Sequence, residues 1–203
     1  YYRYYASNAV AEAWGTTKSF VTVVLTVGDG GILAFQSFEA VNNNWTYTAT
    51  PSTFNDGADV WGVTNELGDL LSTHGTNFWG VQDLDSPSGT NRFGVLGFSK
   101  VYVYGHTNVQ VSFDFDVRGF DEEDDLKYEF VTNDASAGEV LLVDGSANQD
   151  TNGTETVSFA NAVTSISLNV SIKQDQGGVS GGGGVTIEST TISKEEGGDN
   201  NFD

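Results

Sequence analysis

VQVSFDFDV, residues 109–117, is the stretch that decides the fold. Its apolar residues alternate with polar ones: Val109, Val111, Phe113, Phe115 and Val117. Because side chains of a β-strand point alternately to its two faces, this pattern predicts a strand with one face in the core and the other in water. The stretch TSISLNVSI, residues 164–172, has the same period of two and predicts a second strand of this kind.

Similar stretches recur along the chain, separated by clusters of turn-forming Gly, Asn, Asp and Ser. The further predicted strands cover residues 19–27, 32–39, 45–49, 59–64, 77–83, 92–105, 126–132, 138–143, 155–159 and 185–192. So many short strands predict an all-β fold, a two-sheet antiparallel β-sandwich. Within residues 92–105, Gly94 and Gly97 indicate a bulge or a close backbone approach. Residues 6–14 carry helix formers, and they predict a short helix.

The composition narrows the class of protein. The chain has 203 residues and no Cys, and its 28 Asp+Glu against 8 Lys+Arg give a formal net charge of -20. Nucleic acid and anionic membranes would be repelled, and no apolar run approaches the ~20 residues of a membrane span. Without disulfides, a secreted module needs another source of stability, and a bound metal is the obvious candidate. Calcium-rich extracellular surroundings would also relieve the self-repulsion, so an extracellular or cell-surface location is expected.

The chain divides into three parts. Residues 1–27 are an N-terminal extension, residues 28–193 are the sandwich, and residues 194–203 are an acidic, Gly-rich tail. The extension contains SFVTVVLTV, residues 19–27, which is almost continuously apolar. Such a strand is buried on both faces, either in its own domain or added to the sheet of a neighbouring subunit. The residues of such a joint would be Phe20, Val21, Val23, Leu25 and Val27.

Two acidic stretches are candidate calcium ligands. In NFWGVQDLDSPSG, residues 77–89, Asp83 and Asp85 follow the large apolar residues. Being two residues apart, they share one face of an extended strand. DEEDD, residues 121–125, adds Asp121 and Asp124. Calcium takes six to eight oxygen ligands, and carboxylates supply them. The alternative is that both stretches are solvated turns, which is the usual state of an acidic run.

Aromatic residues give a second kind of candidate site. Trp45, Trp61 and Trp79, with Tyr102 or Tyr104, would form a platform on which sugar rings stack, although aromatic residues in strands more often belong to the core. Catalysis has little support, since His74 and His106 are the only histidines and no G-x-S-x-G motif occurs. The sequence therefore predicts a protein that is not an enzyme, with a sandwich-fold lyase as the alternative.

The order of several motifs resembles a known class of modules. The motifs are ILAFQSFEAVNNNWTYT (32–48), DVWGVTN (59–65), FWGVQDLD (78–85), HTNVQVSFDFDVRGFDEEDDLKYEF (106–130) and VTIESTTI (185–192). They are similar to jelly-roll, carbohydrate-binding-module-like sandwich domains of secreted and surface proteins of marine Bacteroidetes-type bacteria. The resemblance implies a jelly-roll fold and a structural calcium between the first and last strands. Glu39 and Glu188 would be its ligands.

Two functions follow from these observations. The first is a structural or adhesive surface protein that is stabilised by calcium and self-assembles into a homopolymer. A filament formed in this way would use residues 19–27 as a donated strand. The second is a carbohydrate-binding module that attaches a secreted protein to a polysaccharide.

Overall fold

The structure is a computed structural model that describes the chain in segments. These are residues 5–7, 12–14, 31–40, 43–54, 60–68, 70, 72, 75–82, 84, 93–122, 124–145, 149–174 and 184–194. Their regular secondary structure is β-strand. No helix in these segments is long and apolar enough to cross a membrane.

The strands follow one another along the chain in this order. They are β1 (Tyr5–Ser7), β2 (Glu12–Trp14), β3 (Gly31–Gln36), β4 (Tyr47–Thr50), β5 (Val60–Thr64), β6 (Phe78–Gln82), β7 (Gly94–Tyr102), β8 (Val109–Phe120), β9 (Asp125–Thr132), β10 (Ala135–Asp144), β11 (Gln149–Ser158), β12 (Ser165–Lys173) and β13 (Gly184–Lys194).

Strands β1 and β2 pair with each other in antiparallel fashion, with Tyr5 opposite Trp14. The prediction of a short helix in residues 6–14 is therefore wrong. Ala and Glu are good helix formers, but a helix this short is unstable in water because its first turn is costly to nucleate. The pairing between β1 and β2 gives the backbone an alternative set of hydrogen bonds.

The other strands form two antiparallel sheets. The five-stranded sheet has the order β10-β9-β12-β7-β4, and the six-stranded sheet has the order β11-β8-β13-β6-β5, with β3 paired to the second half of β13. The chain crosses repeatedly from one sheet to the other, which is the arrangement of a jelly roll. The predicted all-β, two-sheet antiparallel sandwich is confirmed. The extra apolar strand predicted at residues 19–27 lies outside the described residues.

The core lies between the two sheets, where the alternation of β8 places it. Val109, Val111, Phe113 and Val117 are buried, and Phe115 packs partly buried against them. Burying a side chain of this kind contributes about 1.5–3 kcal/mol. The Phe113 ring meets Tyr128 of the opposite sheet edge-on, with ring centroids 5.6 Å apart.

The two glycines of β7 lie against side chains of other strands, whereas the sequence predicts a bulge or a close backbone approach. A Cβ at Gly94 would lie 2.6 Å from the Trp61 ring, and a Cβ at Gly97 would lie 3.1 Å from Asn169 Oδ1. The Trp61 indole is held in this position by the hydrogen bond that its Nε1 donates to the carbonyl of Pro51, at 2.8 Å. Gly94 therefore gives Trp61 room between the sheets.

Strand β11 begins earlier than the sequence predicts. The polar stretch 144–153 has the composition of a turn, yet Asn152 lies opposite Asp116 and Gly153 opposite Phe115 in the pairing of β11 with β8. Strand β8 has twelve residues, so β11 can pair with it over its whole length. This pairing outweighs the low β-propensity of Asn, Asp and Gly.

Asn44 closes part of the outer edge of β3. Its side-chain Oδ1 accepts a hydrogen bond from Phe35 N at 2.6 Å, and its Nδ2 donates to Leu33 O at 3.4 Å. Its backbone N–H also donates to Phe35 O at 3.0 Å. The residue thus occupies backbone groups of β3 that a further strand would otherwise use.

Candidate functional site

The predicted calcium ligand Glu39 caps the loop that leads into β6. Its Oε1 accepts hydrogen bonds from the backbone N–H groups of Thr76 at 2.5 Å and Asn77 at 2.6 Å. Its Oε2 accepts one from the Asn77 side chain at 3.0 Å. A Cβ at Gly75 would lie 2.5 Å from Glu39 Oε1, so the loop is fitted closely around this carboxylate.

An unusual backbone conformation aims Glu39 at this loop. The preceding residue, Phe38, has a φ of 61°, which is rare for a side chain with a Cβ. The Phe38 ring is buried against Tyr47 and Trp79, with centroid distances of 5.3 and 6.2 Å. Packing of the ring thus holds the bend that presents the Glu39 carboxylate to the start of β6.

The second ligand implied by the resemblance, Glu188, lies where β13 changes partner. Strand β13 pairs with β6 up to Ile187 and with β3 from Thr190 onward. Since Glu39 follows β3 and caps the loop before β6, the backbone brings the two glutamates to the same part of the six-stranded sheet. On its other side, Glu188 lies opposite Asp114 of β8.

Asp121 and Asp124 lie together in the turn between β8 and β9. Asp124 Oδ2 accepts a hydrogen bond from Asp121 N at 3.2 Å, and Asp124 N donates to Asp121 O at 3.1 Å. Asp124 is only 5% exposed, and its carbonyl accepts a hydrogen bond from Gly145 N. These contacts give both residues a structural role in the turn.

The acidic side chains that the structure describes do not gather into a group of metal ligands. No group of three or more His, Asp or Glu side chains among the described residues is arranged to hold a metal ion. The three N–H donors on Glu39 also occupy much of the capacity of that carboxylate. Asp83 and Asp85 lie outside the described residues, although Leu84 between them is fully buried. Calcium binding through the predicted residues therefore stays a prediction.

The tryptophans predicted as a sugar platform lie in the aromatic core instead. Trp45 is fully buried and donates its indole N–H to Ser99 O at 2.6 Å, and Trp79 is also buried. Trp61 is half-buried between Phe54, Trp79 and Gly94. A stacking role is therefore wrong for Trp45 and Trp79, because neither ring has a face free for a sugar.

Tyr102 and Tyr104 are the most exposed aromatic residues in the part of the chain whose side chains the structure describes. They are 74% and 71% exposed and flank Val103, which is fully buried. Lys100, two residues before Tyr102, forms a hydrogen-bonded ion pair with Asp134 of the β9–β10 turn. The hydrogen bond to Asp134 raises the pKa of Lys100. We call Lys100, Tyr102, Tyr104 and Asp134 the tyrosine rim. It combines two exposed aromatic rings with an ion pair.

A different kind of surface lies at the open sides of the sandwich. Val140 of β10 lies opposite the buried Tyr128, so it faces the core side, yet it is 44% exposed. On the other side, Val63 of β5 lies opposite the buried Trp79 and is 46% exposed. Core-facing residues this exposed show that neither side of the sandwich is fully covered by the described residues.

The residues predicted for assembly and the two histidines are placed only in part. Phe20, Val21, Val23, Leu25 and Val27 lie outside the described residues, as does His74. His106 is buried, and its backbone N–H donates to Val103 O at 3.1 Å in the turn after β7.

Comparisons with known proteins find similar folds but no family. No family model matches the chain, and no curated protein matches it. Among solved structures, the K1 cleaved adhesin domain of Lys-gingipain from Porphyromonas gingivalis W83 is 13% identical with a TM-score of 0.47; the match covers 80% of this chain and 98% of that one.

Two further structures show the range of proteins with a similar arrangement. The CBM22-1 xylan-binding domain from Paenibacillus barcinonensis Xyn10C is 13% identical with a TM-score of 0.41, covering 83% of this chain and 97% of that one. An apo form cyclase from Fischerella sp. is 12% identical with a TM-score of 0.45, covering 80% and 94%. With TM-scores below 0.5, these likenesses establish neither the fold nor the function of this chain.

Proposed function

We propose that this chain is an extracellular, non-enzymatic surface protein that self-assembles into a homopolymer by exchange of β-strands. The observation that carries the proposal is the exposure of core-facing Val140 and Val63 at the open sides of the sandwich. An added strand there would form main-chain hydrogen bonds and cover apolar side chains, both of which favour association. The nine-residue apolar stretch 19–27 has the composition of such a strand.

Sedimentation of the full chain and of a chain lacking residues 1–27 tests this proposal. We expect large, concentration-dependent polymers from the full chain and monomers from the truncated chain. Circular dichroism of the truncated chain provides the control for folding. A full chain that remains monomeric at high concentration would contradict self-assembly, and equal polymerisation of both chains would contradict strand donation.

Structural calcium belongs to the same proposal. A formal net charge of -20 opposes contact between subunits, and a divalent cation would reduce this repulsion. The proposed ligands are Glu39, Asp83, Asp85, Asp121, Asp124 and Glu188. We expect calcium to shift the sedimentation towards polymer and a chelator to reverse it. Magnesium at the same ionic strength is the control, because equal effects of both ions would indicate screening without a calcium site.

Carbohydrate binding is a second candidate function, favoured by the tyrosine rim. Its exposed rings suit the apolar faces of neutral hexoses, whereas the strong negative charge of the protein disfavours anionic polysaccharides. Titration against a panel of neutral polysaccharides tests it. We expect saturable binding that Tyr102→Ala and Tyr104→Ala abolish. Ile32→Ala, which removes an exposed apolar side chain from the other sheet, should leave binding unchanged. The absence of saturable binding across the panel would reject this function.

A further inference from the structure

The open edges of the two sheets differ in their capacity to accept a strand. Strands β4 and β5 have four and five residues, which is short for a stable pairing with a nine-residue donor. The outer edge of β3 is partly occupied by Asn44, which bonds to backbone groups of Phe35 and Leu33. These three strands are therefore poor acceptors.

The remaining edges belong to β10 and β11, which have ten residues each. The described sheet order places both at the ends of their sheets. Strand β11 carries polar residues along most of its length and holds no exposed large apolar side chain, whereas β10 exposes Val140 and Leu141 at 44% and 47%. An added strand on β10 would cover both side chains, while one on β11 would cover mainly polar groups.

Strand β10 also has few of the features that prevent an edge strand from pairing with another chain. Natural edges are commonly blunted by Lys, Pro or bulges. The sequence of β10, ASAGEVLLVD, has neither Lys nor Pro. Two irregularities interrupt its pairing with β9, between Ser136 and Glu139 and between Leu141 and Val143. They bend the strand, but Val140 and Leu141 lie in the stretch between them.

The donor segment is complementary to this edge in length and charge. SFVTVVLTV has nine residues and no charged side chain. At about 3.3 Å per residue, a strand of this length spans roughly 30 Å, which is close to the length of β10. In a protein of net charge -20, an uncharged segment is the part of one copy that approaches another with least repulsion.

We propose that β10 is the acceptor edge and that residues 19–27 of a second copy of this chain form the added strand. This inference rests on the proposed self-assembly and names the site at which it occurs. The five-stranded sheet of one subunit would gain a sixth strand from the next. Because donor and acceptor are different surfaces, the contact is head-to-tail, and an arrangement that does not close makes a filament.

Disulfide trapping tests the pairing cleanly, because the chain has no Cys of its own. Chains carrying Val23→Cys are mixed with mass-tagged chains carrying Leu141→Cys and then oxidised. Val21→Cys and Leu25→Cys scan neighbouring registers of the donor. Thr156→Cys on β11 is the matched acceptor control. We expect covalent tagged–untagged dimers with Leu141→Cys in at least one register and no such dimers with Thr156→Cys.

A charge placed on the edge provides an independent readout. We expect Leu141→Lys to raise the concentration needed for polymerisation by about tenfold or more, since it puts a charge into the proposed contact. Thr156→Lys makes the same kind of change on β11 and should have little effect. Unfolding curves of both variants show whether the monomer remains folded.

The outcomes separate this inference from the proposed function. Polymers that crosslink through β11 and resist Leu141→Lys would overturn the assignment of β10 while leaving self-assembly intact. A chain carrying both Val23→Cys and Leu141→Cys that closes an internal disulfide as a dilute monomer would show that the strand pairs within its own domain. The absence of polymers from the unmodified chain would reject both proposals.

Discussion

At the scale of single residues, Tyr128 and Glu155 join the two sheets. The Tyr128 hydroxyl donates a hydrogen bond to Glu155 Oε1 at 2.7 Å, from β9 of one sheet to β11 of the other. Burial and then this bond raise the pKa of Tyr128 to about 12. The folded state therefore retains the phenol proton at pH values where the unfolded chain, with an ordinary tyrosine pKa of about 10, has released it.

This difference in pKa predicts a loss of stability in alkali. The contribution of Tyr128 is complete below pH 10 and is lost as the pH rises towards 12, because the unfolded chain then binds fewer protons than the folded one. We expect the free energy of unfolding to fall between pH 10 and pH 12. It should fall less in Tyr128→Phe than in the unmodified protein. Urea unfolding at several alkaline pH values measures it. Parallel curves for both proteins would contradict the prediction.

Gly94 gives a prediction about packing. A methyl group at this position would lie 2.6 Å from the Trp61 ring, whose indole is held by Pro51. We expect Gly94→Ala to lower the free energy of unfolding by about 1–3 kcal/mol. Gly62→Ala is the control, since nothing lies within 4 Å of the added Cβ. Equal stability of the two variants in urea would show that Trp61 moves aside easily.

At the scale of elements, the edge of β3 depends on one side chain. Asn44→Ala removes the hydrogen bonds to Phe35 N and Leu33 O, and we expect a loss of about 1 kcal/mol. Hydrogen exchange of the Phe35 amide should also become faster. Thr48→Ala, at an exposed position of β4, the next strand along the chain, is the control for thermal unfolding and exchange. Unchanged exchange at Phe35 would show that the edge is protected in another way.

The strands could be predicted from the sequence where burial alternates strictly. In β8 and β12 the period of two gave the correct faces, because one face of each strand packs against the opposite sheet. Strands β1, β2 and the start of β11 could not be predicted, since their local composition favours a helix or a turn and only their partner strands decide otherwise.

The candidate sites were less predictable than the fold. The sequence singled out Trp45 and Trp79 for their size, and size also makes a tryptophan suitable for the core. Tyr102 and Tyr104 carry a usable signal in the pattern YVYG, where two tyrosines flank a single valine at the end of a strand. The exposure of Val140 has no such signal, because it depends on the absence of a described strand beside β10.

At the scale of the whole molecule, charge is the dominant property. With a formal net charge of -20, we expect the melting temperature of the full chain to rise from low to physiological ionic strength, because salt screens self-repulsion. Differential scanning calorimetry with sodium chloride measures the effect. A melting temperature independent of salt would indicate that bound cations already neutralise the charge.

Strand β13 has a consequence for biogenesis. It lies inside the six-stranded sheet, paired with β8 on one side and with β6 and β3 on the other, yet it follows all three in the chain. During synthesis, the edges of β3, β6 and β8 that face β13 stay unpaired until β13 has been made, since contacts between distant parts of a chain form late. The nascent protein thus cannot complete this sheet prematurely.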